Sequence, residues 1–475
     1  MLGDDVLELS TGELANRIKA RKLSPVELTE SYLARIARHN GQLNAFETLT
    51  EDLALAQARA AESEIGAGRY RGPLHGIPYG AKDLLATAGI RTGWGARPTR
   101  DQVFDADATV IRKLREAGAV LLGKLAMVEL AGGLGYRFAG ASVSGPGRNP
   151  WDTSRWTGGS SSGSGAAVAA ALVGFAIGTE TWGSILCPSA FCGITGLRPT
   201  YGRVSRAGAM ACSWSYDKIG PLARAASDCR LVLQAIAGPD PDDPSSSSEP
   251  VRLEARDAKP LKQVRAARIP LDFAKGGERE VETAFDRAVD DLRAAGLRIV
   301  DAELPVFPAA EVAGVLIAAE AISSFETLYR NGRVHELSDT FAPYQPDVIA
   351  PVSGADLVKA WRMRRALQEE MARFFGRYDV IVTPNFTTTA PLVSADLTQA
   401  LASYTDPVGA VGNTCGLPAI ALPCGFGQGH MPIGFQIVAA PFEEATLLSL
   451  GELYQQRTGF HRERPALAAP APTRD

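Results

Sequence analysis

Residues 144–184 constrain the fold more than any other stretch of this 475-residue chain. Ser144 to Gly165 is made almost wholly of loop formers and ends in Gly158-Gly-Ser-Ser-Ser-Gly-Ser-Gly165. Ala166 to Leu172 reads as a helix of small residues, packed tightly against something. Gly174-Phe-Ala-Ile-Gly178 has the short apolar run of a buried strand. Thr179-Glu-Thr-Trp-Gly-Ser184 follows at once as a second small polar loop. Two such loops flanking one buried helix are brought together at the same end of a sheet.

The rest of the chain agrees with a sheet covered by helices. Ser10-x-x-Glu13 is a capping box. Ser24-Pro25 is a helix start with Pro at the first helical position, followed by Leu28, Tyr32, Leu33 and Ile36 at helical spacing. The first 70 residues are therefore expected to be helical. Gly76 to Asp83 is a short apolar segment ending in the charged pair Lys82-Asp83. A helix is expected over Ala106–Ala117 and a buried parallel strand over Gly118–Gly123. Composition shifts to Pro, Asp and Ser between Gly238 and Pro260, which predicts a surface loop or tether. Beyond it come a strand (Val264–Pro270), a helix (Glu278–Ala295), a strand (Leu297–Leu304), a long amphipathic helix (Ala355–Phe375) and a strand (Asp379–Thr383). Strand–helix alternation on both sides of the loop predicts an α/β fold with a parallel or mixed sheet.

Charge and composition bound the partners and the compartment. A net charge of −4 leaves no electrostatic footprint for nucleic acid or an anionic membrane. The longest apolar stretch, residues 166–177, is shorter than the ~20 residues a span needs. Met1-Leu-Gly-Asp-Asp5 has no basic segment leading into an apolar one. The six cysteines form no C-x-x-C pair, so reduced thiols are expected. The expectation is a cytoplasmic protein.

Gly159-Ser-Ser-Ser-Gly163 matches G-x-S-x-G, which would make Ser161 the nucleophile of an α/β-hydrolase. That elbow needs a hydrophobic strand before it and a histidine after it. Trp151-Asp-Thr-Ser-Arg-Trp156 is not such a strand, and His335, His430 and His461 sit in polar or linker-like settings. A phosphate cradle lacks G-K-[ST] and the acidic residue of a dinucleotide site. Only five histidines occur in the chain, so another base is sought. A neutral lysine can activate a hydroxyl. Lys82 follows the apolar Ile77-Pro-Tyr-Gly-Ala81, where burial would lower its pKa. A plain ion pair with Asp83 or Glu180 is equally open.

Gly158 to Ala170, then Ala176-Ile-Gly-Thr-Glu-Thr-Trp-Gly-Ser184-Ile-Leu-Cys-Pro188, then Gly193-Ile-Thr-Gly-Leu-Arg-Pro-Thr200 resemble the signature of the amidase signature family of serine hydrolases. His75 to Asp83 resembles the family's lysine segment. Asp217 to Pro221, Tyr378 to Pro384, Asn413 to Ala419 and Met431 to Gln436 resemble its later landmarks, in order from about residue 8 to residue 460.

The resemblance implies one amidase-signature domain over 1–475, with a mixed central sheet covered by helices on both faces. Within it lie a helical segment (1–70), a catalytic core (71–237), a surface loop (238–262) and a part completing the sheet and substrate pocket (263–475). It implies a Ser–cis-Ser–Lys triad: Ser184 as nucleophile, Ser160 as bridge after a cis Gly159–Ser160 peptide, and Lys82 as base. Backbone N–H groups of Thr181, Trp182, Gly183 and Ser184 would meet the oxyanion. No cofactor or metal is called for, and Cys187 and Cys192 are expected to be packing residues.

Trp182 stands where many members have Gly, and Leu186 where they often have Arg, which points to a more apolar site. The resemblance therefore implies an amidohydrolase cleaving a hydrophobic amide, anilide or carbamate, with esters as a side activity. The alternative is the glutamine-hydrolysing A subunit of a glutamyl-tRNA amidotransferase. The first reading carries a small-molecule substrate, no nucleic acid or membrane, and a monomer or homodimer. The pocket is expected around Met127, Trp182, Ile185 and residues 310–400.

Overall fold

The short apolar runs between turn residues become strands of one sheet. The structure, a computed structural model, describes residues 1–339, 352–401 and 406–467. The strands are β1 (Phe46–Leu49), β2 (Pro78–Lys82), β3 (Val120–Leu125), β4 (Arg148–Asn149), β5 (Asp152–Trp156), β6 (Phe175–Glu180), β7 (Thr195–Arg198), β8 (Lys218–Ala223), β9 (Arg265–Arg268), β10 (Arg298–Asp301), β11 (Val380–Pro384), β12 (Ala419–Gly427) and β13 (Met431–Ala439). Eleven of them form a sheet in the order β1-β3-β2-β6-β8-β7-β12-β13-β11-β9-β10, and β4 pairs with β5 apart from it. The sheet is mixed: β2 runs parallel to β3 and β6, while β8 runs antiparallel to β6 and β7. Helices cover both faces, as the sequence predicts. The sheet draws strands from both sides of residues 238–262.

Most expected elements form. Ser10 caps the helix Thr11–Lys19 through a reciprocal capping box, and Pro25 opens the helix Pro25–Leu43. The run 264–304 becomes β9, the helix Arg279–Ala294 and β10. The helix expected at Ala355–Phe375 spans Gly354–Arg377. Three differences stand out. The N-terminal 70 residues contain β1, which adds to the sheet edge at β3. The hairpin β12–β13 lies near the sheet's middle, where the sequence pattern predicts no strand. The stretch 238–260 is not a tether, because Asp240 accepts hydrogen bonds from Thr109 Oγ1 (2.6 Å) and Ser205 Oγ (2.5 Å) and so pins the loop to the body.

Sheet register delivers the site. β2 and β6 are parallel, with Ala81 opposite Ile177. Lys82 and Thr179 therefore arrive at the same edge. The intervening helix, Ser162–Ala169, is wholly buried. A Cβ at Gly163 would stand 2.2 Å from the Ala45 carbonyl oxygen and 2.6 Å from the Ala126 nitrogen. Only a residue without a side chain allows this close approach.

Candidate active site

Lys82 closes β2 and is fully buried. Its ammonium nitrogen lies 2.7 Å from Ser160 Oγ and 2.9 Å from Thr179 Oγ1. Neither carboxylate that the sequence offers as a partner pairs with it. Asp83 faces Lys124 at 3.5 Å, and Glu180 faces Arg198 at 2.7 Å. Burial holds Lys82 down to about 7, with Cys212, Asp217 and Glu180 pulling weakly the other way. The group is thus poised between its charged and neutral forms near neutral pH.

Ser160 follows a cis peptide bond from Gly159. The backbone N–H of the next residue, Ser161, donates to the Ser184 carbonyl at 3.4 Å, so the two serine loops touch. Ser161 itself is occupied: its hydroxyl accepts from Thr179 N and donates to the Thr179 carbonyl. Among the described residues its hydroxyl bonds only to Thr179 and to no histidine. The α/β-hydrolase reading therefore has neither a free serine nor a base.

The loop Thr181–Ser184 turns on Gly183, whose φ of +83° suits glycine. Among the described residues, the N–H groups of Thr181, Trp182, Gly183 and Ser184 meet no acceptor. Consecutive N–H groups on a loop that borders the cavity are able to donate together to one ligand oxygen. Glu180 anchors the base of the loop. Its carboxylate accepts from Ile185 N (2.9 Å) and Leu186 N (3.0 Å) on one oxygen and from Arg198 on the other. Burial pushes this carboxyl up, but Arg198 and Lys218 outweigh it and hold it at about 2.

These groups open into a cavity of about 290 Å³ lined by Gly159, Thr181, Trp182, Ser184, Ile317 and Leu401 among others. Among the described residues no charged side chain lines it. Trp182 walls it as its position suggests, packed against the apolar cluster of Tyr216, Val312 and Leu316. Met127 and Ile185 do not reach it. Both are fully buried in the main core, Met127 beside the turn at Gly95 and Ile185 against β7 and β8 at Gly196 and Gly220. Ile317 and Phe386 come from the expected 310–400 region, of which residues 340–351 lie outside the described residues. Cys187 lines the cavity with its thiol pushed up to about 12 by burial, whereas Cys192 is buried and donates to the Thr157 carbonyl. Among the described residues no group of His, Cys, Asp or Glu is arranged to hold a metal ion, and no helix is long and apolar enough to cross a membrane.

Thr179, Arg198, Asp217 and Lys218 complete the surroundings, and sequence reasoning misses all four as site residues. All four fall inside motifs, but nothing in their spacing ties them to Lys82, Glu180 or Thr181.

The A subunit of glutamyl-tRNA(Gln) amidotransferase from Moorella thermoacetica is 39% identical over 487 aligned residues, covering 97% of this chain and 98% of that protein. Its counterpart from Methylococcus capsulatus is 38% identical, covering 96% and 98%. The solved native peptide amidase of Stenotrophomonas maltophilia matches with a TM-score of 0.85 at 31% identity, covering 97% of this chain and 99% of that one. The relatives' names correct one expectation. A chain working by itself or as a homodimer on a small-molecule amide or carbamate, without nucleic acid, does not fit relatives that are subunits of an enzyme named for glutamyl-tRNA. The charge argument behind that expectation excludes only a basic surface on this chain, not a tRNA handled by an assembly. A family model for amidases matches residues 27–448, and with near-complete coverage by these relatives the chain belongs to the amidase family, enzymes that act on carbon–nitrogen bonds.

Proposed function

We propose that the chain is the glutamine-hydrolysing A subunit of a glutamyl-tRNA amidotransferase, with Ser184 as nucleophile, Ser160 as proton bridge and Lys82 as base. The chemistry rests on one observation above the others: a fully buried lysine, free of any carboxylate among the described residues, lies 2.7 Å from Ser160 Oγ. The choice of enzyme rests on similarity to A-subunit proteins along their whole length.

In this reading neutral Lys82 takes a proton from Ser160 while Ser160 takes one from Ser184. Ser184 Oγ adds to the amide carbonyl, and the oxygen that becomes negative meets the N–H groups of Thr181 to Ser184. The proton passes back through Ser160 to the amide nitrogen, the C–N bond breaks, and ammonia leaves. Water then adds to the acyl-enzyme and frees Ser184.

A second reading, a hydrolase of apolar or peptide-terminal amides, is favoured by one observation: the described cavity wall carries no charged side chain. The test measures ammonia release from glutamine, from an apolar anilide and from a peptide amide, together with amidation of glutamyl-tRNA(Gln) by the chain and the subunits that co-purify with it. The proposal expects glutamine-dependent amidation and a loss on the order of 10⁴–10⁶-fold in Ser184→Ala. A kcat/KM for the anilide or peptide amide far above that for glutamine, with no amidated tRNA, overturns the amidotransferase role in favour of the second reading. Full activity in Ser184→Ala overturns both.

A further inference from the structure

We infer that Asp217 is a positioning residue for the oxyanion loop, acting through the Thr181 hydroxyl and tying that loop to the helices that cover the pocket. The inference rests on the reading of Thr181–Ser184 as the oxyanion site.

Thr181 is gripped at two points. Its hydroxyl donates to Asp217 Oδ1 at 2.5 Å, and its carbonyl accepts from Lys218 Nζ at 3.3 Å. Lys218 is itself fixed by Asn413 Oδ1 at 2.8 Å. Its neighbour Asp217 spends its other oxygen on the N–H groups of Cys212 (2.8 Å) and Ser213 (3.0 Å). All of this is buried, where a hydrogen-bonded carboxylate fixes geometry far more firmly than at a surface. The loop needs such a grip. Backbone bonds to the Gly183 and Ser184 carbonyls, from Cys187 N (2.6 Å) and Ser161 N (3.4 Å), hold its far end, and Gly183 adds backbone freedom, so the Thr181 end relies on side chains.

The same grip reaches the other wall of the pocket. Glu320, on the helix Ala309–Ser324, accepts from Ser213 Oγ (2.6 Å), Ser215 N (2.9 Å) and Ser215 Oγ (2.7 Å). Arg364, on the helix Gly354–Arg377, donates to Ser215 Oγ and to the Ser215 carbonyl. Ile317, one turn before Glu320, lines the cavity. The segment Cys212–Asp217 is thus a polar joint between the cover helices and the loop where charge develops. A displaced donor no longer points at the transition-state oxygen, and the loss falls on kcat rather than on binding.

The test compares Thr181→Ser, Thr181→Val, Asp217→Asn and Thr181→Val/Asp217→Asn by steady-state kinetics on one amide substrate. Thr181→Ser keeps the donor and should keep kcat within about 3-fold, while Thr181→Val and Asp217→Asn should each lower kcat by about 10-fold or more at nearly constant KM. The double variant should fall no further than the worse single one, because Thr181→Val already leaves the residue at 217 no Thr181 hydroxyl through which to act on the loop. Wild-type kcat in Thr181→Val, or losses that multiply in the double variant, overturns the inference. If Asp217→Asn does not fold, the Thr181→Ser and Thr181→Val pair still decides it. Ser184→Ala separates the two levels: if it is inactive while Thr181→Val is normal, only the positioning role fails. If Ser184→Ala is active, the underlying site reading fails.

Discussion

In the proposed mechanism burial makes Lys82 a base. An exposed lysine is charged at neutral pH and accepts nothing. Burial pulls Lys82 down to about 7, and hydroxyls rather than carboxylates surround its nitrogen. The sign follows from this. The useful form is neutral, so kcat/KM should rise about tenfold per pH unit below pH 7 and level off above it. Lys82→Met should cost about 10²–10⁴-fold in rate and remove that limb. A limb still centred near pH 7 in Lys82→Met would assign the titration to another group. From the residues alone only Lys82 stands out as a candidate, through the apolar run before it, whereas Ser160 and Ser184 are singled out by the resemblance to the amidase signature. Thr179, the second partner of Lys82, is not. It stands in the same segment as Ser184, but only the parallel register of β2 and β6 turns its hydroxyl into a contact.

Elements carry the next layer, and their legibility follows the same logic. Helices announced by caps and strands announced by apolar runs are readable. The hairpin β12–β13 is not, because Pro423 and Pro432 interrupt its apolar pattern, and proline argues against a central strand. The structure accommodates Pro423 where the β12–β13 register shifts. Long-range polar ties are equally hidden: Glu180 meets Arg198 across the start of the helix Leu186–Cys192, and neither residue signals the other in sequence. That tie makes a prediction about stability. Glu180 is held below the ordinary carboxylate range, so its contribution is present above about pH 4.5 and is lost as pH falls through about 2. Glu180→Gln leaves Arg198 buried without its charge partner, a change that costs about 3–5 kcal/mol. Calorimetry should find the variant's Tm lower at pH 7, with the gap to wild type narrowing toward pH 3. A gap independent of pH would show that the carboxylate's charge does not carry the effect.

At the scale of the whole molecule, the pocket joins distant parts of the chain. Its floor comes from Gly159 and Thr181–Ser184 and its wall from Ile317, Phe386 and Leu401. The floor is set by the sheet edge at β2 and β6, whereas the wall depends on the helix Ala309–Ser324 and on the segment after β11. An acyl group attached to Ser184 therefore touches both parts and should stabilise their union, beyond what the covalent bond does at the serine alone. A methyl phosphonate and an octyl phosphonate, each bound to Ser184, separate these effects. The longer chain buries roughly 100 Å² more apolar surface, worth about 2.5 kcal/mol at about 25 cal/mol/Å². An unfolding entropy of about 1 kcal/mol/K for a chain of this length converts this to a Tm about 2–3 °C higher for the octyl adduct. Ile317→Ala should remove most of that difference while leaving the methyl adduct's Tm shift intact, because the short group does not reach the wall. Equal Tm values for the two adducts in the unmodified chain would mean that the acyl chain lies outside the cavity, and that floor and wall do not enclose the substrate together.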